Sequence, residues 1–180
     1  MVSKVKVDAI ESTTGSGTIA LNNQLSGMTV ASLPTLTTTE MPAGSVIQVV
    51  QGTYSSTNTS TSSTLADTGL TATITPTSAS NKIKVTVHQN GLGKDTNNTR
   101  VGIALLRGST TIAWVCAHAC FTGDTSTSFA ASASGTYLDT PATTSAVTYK
   151  TQIKSYANNA NVYAQLGGPT STITLEEIKG

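Results

Sequence analysis

From residue 45 onward the chain alternates between apolar and polar positions. "KIKVTVHQ" sets Ile83, Val85 and Val87 at every second place, with Lys82, Lys84 and Thr86 between them. A period of two is what a strand with one buried face requires, because successive side chains point to opposite sides of a sheet. "TLADTGLTATITP" repeats the pattern, with Leu70, Ala72 and Ile74 set against Thr71, Thr73 and Thr75. "SVIQVVQG" reads as a strand stopped by Gly52, and "RVGIALLRGSTTIAWVCAHACF" as two strands joined by a tight turn at Arg107, Gly108 and Ser109. "TSFAASASGTYLD", "AVTYKTQIKSYA", "NVYAQLGG" and "STITLEEIKG" supply four more. Pro76 and "TSASN" turn the chain, and the Asn-Gly pair in "NGLGKDTNN" predicts a hairpin loop. The expected fold is all-β: an antiparallel β-sandwich or jelly roll of about eight or nine strands, with Thr, Ser or Lys on the solvent face of most of them.

The first residues show another pattern. "SKVKVDAIES" alternates briefly, then Gly15, Gly17, Gly27, Pro34 and Pro42 cut the chain into pieces too short to bury a core. Residues 1–44 therefore read as an extended N-terminal arm and residues 45–180 as the knob. Val5, Val7, Ile10, Ile19, Leu21, Leu25, Met28 and Leu33 give that arm apolar groups that need a neighbour's surface to lie on.

Composition changes this picture little. Ser and Thr number 56 of 180 residues, which suggests low complexity, but 37% of the chain is hydrophobic and β-branched residues abound. Thr, Val and Ile favour a pleated strand, so the chain is expected to fold. A net charge of +1, with the ten basic residues scattered, argues against nucleic-acid binding, which draws its affinity from clustered Lys and Arg. No apolar run approaches the roughly 20 residues that span a bilayer. The start of the chain lacks a signal-peptide hydrophobic segment, so synthesis in a cytoplasm without Sec-type export is expected.

Candidate chemistry concentrates in "WVCAHACF", which holds both cysteines and one of the two histidines. On a regular strand Trp114, Cys116, His118 and Cys120 share one face, with Val115, Ala117, Ala119 and Phe121 on the other. Same-face neighbours lie about 6.6–6.8 Å apart, which puts the two cysteines roughly 13 Å from each other. Zinc–sulfur bonds of about 2.3 Å cannot serve both at that separation, nor can a disulfide with its Cα limit of about 7 Å. A packed inner strand is the expected state.

Elsewhere no G-x-S-x-G elbow appears, His88 and His118 have no triad context, and nothing selects Asp67 and Asp124 as a carboxylate pair. Glu176 and Glu177 read as a solvated strand end. Gly91, Gly93 and Lys94 lack the full phosphate-loop spacing, and the acceptor patterns at Asn58 and Asn97 matter only on a secreted chain. The sequence thus names no catalytic, cofactor-binding or metal-binding residue and no cofactor, and a non-enzymatic protein is expected.

Three stretches carry a resemblance. "SKVKVDAIESTTGSGTIALNNQLSGM", "NKIKVTVHQNGLGKDTNNTRVGIALLRGSTTI" and "STITLEEIK" are similar to short virion structural proteins of tailed phages, particularly those infecting cyanobacteria and other aquatic bacteria. The resemblance implies a fibre-like or capsid-decorating component, a homotrimer, and an N-terminal segment that attaches it to the major capsid protein or to a tail or baseplate protein. The location it implies is the virion, assembled in the host bacterial cytoplasm. Capsid decoration or cement is the leading expectation, with a tail fibre component as the alternative. A carbohydrate-binding module that holds host surface glycan is the rival from another class, with Tyr54, Tyr137, Tyr149, Tyr156 and Tyr163 as possible platforms.

Overall fold

The computed structural model describes residues 37–38, 40–123, 129–157 and 160–180, with the side chains of residues 129 and 130 excepted. Most of the arm expected over residues 1–44, and Asp124, lie outside the described residues. Thr38–Gly180 form one compact unit. Within it, Gly44 N donates to Lys179 O at 2.8 Å, so the chain is already tied to the last strand when the first begins.

The described residues contain ten strands and no helix. They are β1 (Val46–Tyr54), β2 (Asn58–Ser60), β3 (Ala66–Ile74), β4 (Lys82–Lys94), β5 (Val101–Arg107), β6 (Thr110–Ala119), β7 (Phe129–Asp139), β8 (Val147–Ser155), β9 (Val162–Ala164) and β10 (Ser171–Ile178). One sheet runs β1-β10-β4-β7, with the short β9 and β2 added beside the end of β4; the other runs β3-β8-β5-β6. All pairings are antiparallel. The eight long strands pair as nested partners, β1 with β10, β3 with β8, β4 with β7 and β5 with β6. That nesting, distributed over two packed sheets, is the jelly roll, so the all-β expectation holds.

Two local expectations are corrected. Asn90–Lys94 do not form a hairpin loop but the end of β4, and the chain then crosses to the other sheet. Asn90 and Gly91 sit where β4 bulges against β7, between Gln89 and Leu92, and Gly91 takes φ +60°. A Cβ there would lie 2.5 Å from Leu166 N. The residues that favour a hairpin turn serve equally well at a bulge that needs positive φ. Glu177 is not solvated: its carboxylate is buried and accepts from Thr77 N (2.6 Å), Thr77 Oγ1 (2.8 Å) and Asn81 Nδ2 (2.6 Å). The loop after β3 needs an acceptor for these donors, and the inward side of β10 provides it.

The core is divided in two. Leu70, Ile74, Ile83, Val85, Val87, Leu105, Tyr149, Ile173 and Leu175 form one apolar cluster. Leu92, Val101, Ile103, Cys120, Ile153, Val162 and Ala164 form the other. Between them lies a buried polar belt. Thr68 Oγ1 meets Thr151 Oγ1 at 2.5 Å within one sheet, and Thr151 Oγ1 donates to Gln89 Oε1 at 2.9 Å across to the other. Gln89 Nε2 and Gln165 Nε2 donate to Ser171 Oγ at 3.2 and 3.1 Å. All five residues are fully buried.

A second cross-sheet contact closes one end of the sandwich. Arg107 Nη1 donates to both oxygens of Asp139 (3.1 and 3.0 Å), and Tyr149 Oη donates to Asp139 Oδ2 at 2.7 Å.

Thr151→Val keeps the shape of the belt but strands Gln89 Oε1, and is expected to cost about 1–3 kcal/mol in urea unfolding. Adding Gln89→Leu should recover part of that loss, because replacing both partners of a bond removes the unsatisfied group. An additive double variant would contradict the belt.

Burial, reinforced by the bond to Asp139, pushes the Tyr149 hydroxyl well above the ordinary tyrosine range. The folded chain then holds this proton more tightly than the unfolded chain does. The resulting stability is complete below about pH 10 and lost as the pH rises past it. Native protein should therefore lose stability more steeply above about pH 10 than Tyr149→Phe does, as read by denaturant midpoints across the range.

Candidate functional site

"WVCAHACF" does not keep the alternation expected of it. β6 is an edge strand of its sheet, not an inner one, and its pairing with β5 shifts between Val101 and Ile103 and again between Ile103 and Ala104. Each bulge inserts a residue and turns the side chains beyond it toward a new face. Cys116 consequently packs with Val115 and Ala119 against the second apolar cluster, while Trp114 and His118 face outward. Cys120 lies beyond the strand at φ +61°, buried, with its Sγ donating to Leu92 O at 3.3 Å. The four residues do not share a face. Both cysteines are free, and no group of three or more His, Cys, Asp or Glu placed to hold a metal occurs among the described residues.

The outward half of this stretch joins residues from two other segments. Tyr156, just past β8, is the hub. Lys154 Nζ lies 4.3 Å from its ring centre, Arg100 Cζ 4.6 Å, and the His118 ring 5.1 Å at an interplanar angle of 43°. Lys154 also lies 5.2 Å from the centre of the Trp114 indole. The floor is Gly102 on β5. A Cβ there would come within 2.8 Å of Tyr156 Cε2 and 3.2 Å of Trp114 Cζ3, so only glycine lets both rings lie against the sheet. Trp114 is 44% exposed despite this packing.

The charges of the cluster are held on rings rather than on carboxylates. The ion pairs among the described residues use Lys84 with Glu176, Arg107 with Asp139, and Lys150 with Asp67, and neither Arg100 nor Lys154 takes part. Arg100 Nε is buried with no hydrogen-bond partner among the described residues. Ring–cation contacts of this kind contribute about 0.5–1 kcal/mol at exposed sites. The arrangement brings an aromatic platform and two positive charges to one point of the surface.

The other tyrosines are placed elsewhere. Tyr54 packs against the first apolar cluster, Tyr149 is buried, Tyr137 lies on edge strand β7, and Tyr163 donates to Asp95 Oδ2 at 2.6 Å. That bond holds the Asp95 carboxyl below its usual range and pushes the Tyr163 hydroxyl up. His88 Nδ1 meets Ser134 Oγ on the neighbouring strand β7. Lys94 is buried and donates to Thr96 O at 3.0 Å and to Thr122 O at 3.2 Å, which is a structural role and not a phosphate contact. Of the cluster, the sequence singled out Trp114, His118 and Tyr156. Gly102, Arg100 and Lys154 carry no local signal, because only the pairing of β6, β5 and β8 assembles them.

No family model matches this chain, and no curated protein matches it. Among solved structures it is similar to a chain in the structure of infectious bursal disease virus, Gx strain, with a TM-score of 0.37 and 11% identity. The match covers 75% of this chain and 33% of that one, so this chain spans a third of that length.

Burial pushes both thiols up, Cys120 to about 11 with Cys116 adding to the shift, and Cys116 in the same direction. Both are then protonated at about pH 8, the form that does not attack. A thiol reagent at that pH should leave the folded chain unlabelled and modify both cysteines once guanidinium unfolds it. Fast labelling of Cys116 in the folded protein would contradict its packing.

Proposed function

We propose that this chain is a non-enzymatic structural protein of a bacteriophage virion. In this reading it is a jelly-roll knob that assembles with copies of itself as a homotrimer and attaches to the particle through its N-terminal segment. The observation that supports assembly is the state of the sheet edges. Natural edge strands are blunted with charge, proline or short length, because an open row of N–H and C=O groups invites pairing. Here β1 ("VIQVVQGTY") holds no charged residue, and β7 ("FAASASGTYLD") holds only Asp139, which is spent on Arg107 and Tyr149. Val49 on β1 is 59% exposed and Leu138 on β7 is 52% exposed.

The outer face of the same sheet adds to this. Gln51, Thr174, Thr86 and Thr136 stand in one row across four strands, and Thr53, Thr172, His88 and Ser134 in the next. A partner that hydrogen-bonds these polar groups can cover them without leaving them unsatisfied, and the adjoining row carries the Lys84–Glu176 ion pair. The jelly roll recurs in capsid and lectin domains, and that analogy of fold agrees with the reading without carrying it. We place capsid decoration or cement first and a tail fibre component second.

A cryo-EM map of the intact particle tests the location: density on the capsid lattice supports decoration, and density confined to the tail overturns it in favour of the fibre. In solution, light scattering should give the mass of three chains. Val49→Lys with Leu138→Lys should reduce that to one chain while leaving the thermal transition in place. A native chain that stays monomeric at micromolar concentration removes the trimer from the proposal.

A further inference from the structure

We propose that the outer face of the β6-β5-β8 sheet is a binding site for an acidic saccharide. A pyranose ring stacks on the Trp114 indole while Lys154 and Arg100 hold its carboxylate. Trp114 is the large aromatic that this face leaves exposed, and Gly102 leaves room for the Cζ3 edge of the indole. An indole held this way presents an apolar face that matches the C–H face of a sugar ring. The two cations are already desolvated in part and oriented by Tyr156, at 4.3 and 4.6 Å from its ring centre. Among the described residues neither forms an ion pair with a carboxylate. A carboxylate arriving beside the indole supplies the opposite charge.

The extent of the site points to a short saccharide and away from a single-stranded nucleic acid. Nucleic-acid channels repeat stacking platforms along a basic groove that tracks the backbone. Here there is one exposed indole, and the next outward positions on β8 are Gln152 and Lys150, both bonded to Asp67. Tyr156 is a positioning residue in this scheme: it aims the cations and leaves the platform to Trp114. The inference uses one chain's own residues, so it stands or falls separately from the assembly reading.

Trp114 is the single tryptophan of the chain, so its emission reports the site directly. The full-length protein is titrated with short oligogalacturonates and alginate oligomers, with cello-oligosaccharides as neutral counterparts and oligo(dT) as a polyanion with stackable bases. A saturable change in emission is expected with at least one uronate series, and at least about tenfold weaker binding of the neutral series. Added NaCl should weaken the uronate interaction by screening. Arg100→Gln with Lys154→Gln should raise Kd by at least about tenfold. Gly102→Ala should also raise it, although no polar group or charge is lost, because the methyl group displaces both rings. Calorimetry reads Trp114→Ala, which removes the fluorophore, and thermal melts confirm that each variant is folded. No saturable change with any uronate overturns the proposal, as does equal binding of the neutral series. Tighter binding of oligo(dT) that the same variants abolish overturns it in favour of a nucleic-acid site.

Discussion

The fold turns on one hydrogen bond, Thr151 Oγ1 to Gln89 Oε1, which crosses from sheet to sheet between the two apolar clusters. Apolar contacts are non-directional and tolerate sliding of one sheet over another. A buried amide with its hydroxyl partner does not, because any shift leaves both groups unsatisfied at low dielectric. On β4 the sequence of inward positions runs Val87, Gln89, Leu92; on β8 it runs Tyr149, Thr151, Ile153. The polar member falls at the same depth on both strands, and Thr68 on β3 and Ser171 on β10 complete the layer. One layer of hydrogen bonds thus pins four of the long strands in register. The layer ends at Gln165 Oε1, which is buried with no partner among the described residues.

With register pinned at the centre, the nested pairing leaves β1, β7, β3 and β6 as sheet edges. The contact of Arg107 and Tyr149 with Asp139 then spans the sandwich near the β7 edge, joining β5 and β8 of one sheet to β7 of the other. The outer faces are free to diverge because neither has to specify the fold. One is a field of Thr, Ser and Gln that also carries the Lys84–Glu176 ion pair; the other gathers cations and rings over Gly102.

Alternation made the strands legible from the sequence, since Ile83, Val85 and Val87 or Leu70, Ala72 and Ile74 have no other efficient use. It also hid the belt. Threonine suits a strand whichever way it points, so Thr68 and Thr151, which are buried, read the same as Thr71 and Thr73, which are exposed. Glu177 was opaque for a related reason: its neighbour Glu176 pairs with Lys84 at the surface, and only the depth of the next position separates the two carboxylates. The cysteine-bearing strand failed differently. Its period is broken by bulges, and a bulge is set by the partner strand, which a single strand's sequence does not display.

The same bulges link the buried and exposed halves of that strand. Because they turn Cys116 inward, they also leave Trp114 and His118 facing outward. A regular β6 would have sent a cysteine, a histidine and an indole to one side, and that side could have been neither a clean core nor a clean surface. Splitting them lets the small thiols fill space beside Ile103 and Ile153 while the indole lies on Gly102 in reach of Lys154. An edge strand is where such a break is cheapest, since only one neighbour's hydrogen bonds are disturbed. The position of β6 at the sheet edge is therefore what allows one eight-residue stretch to serve the core with one half and the surface with the other.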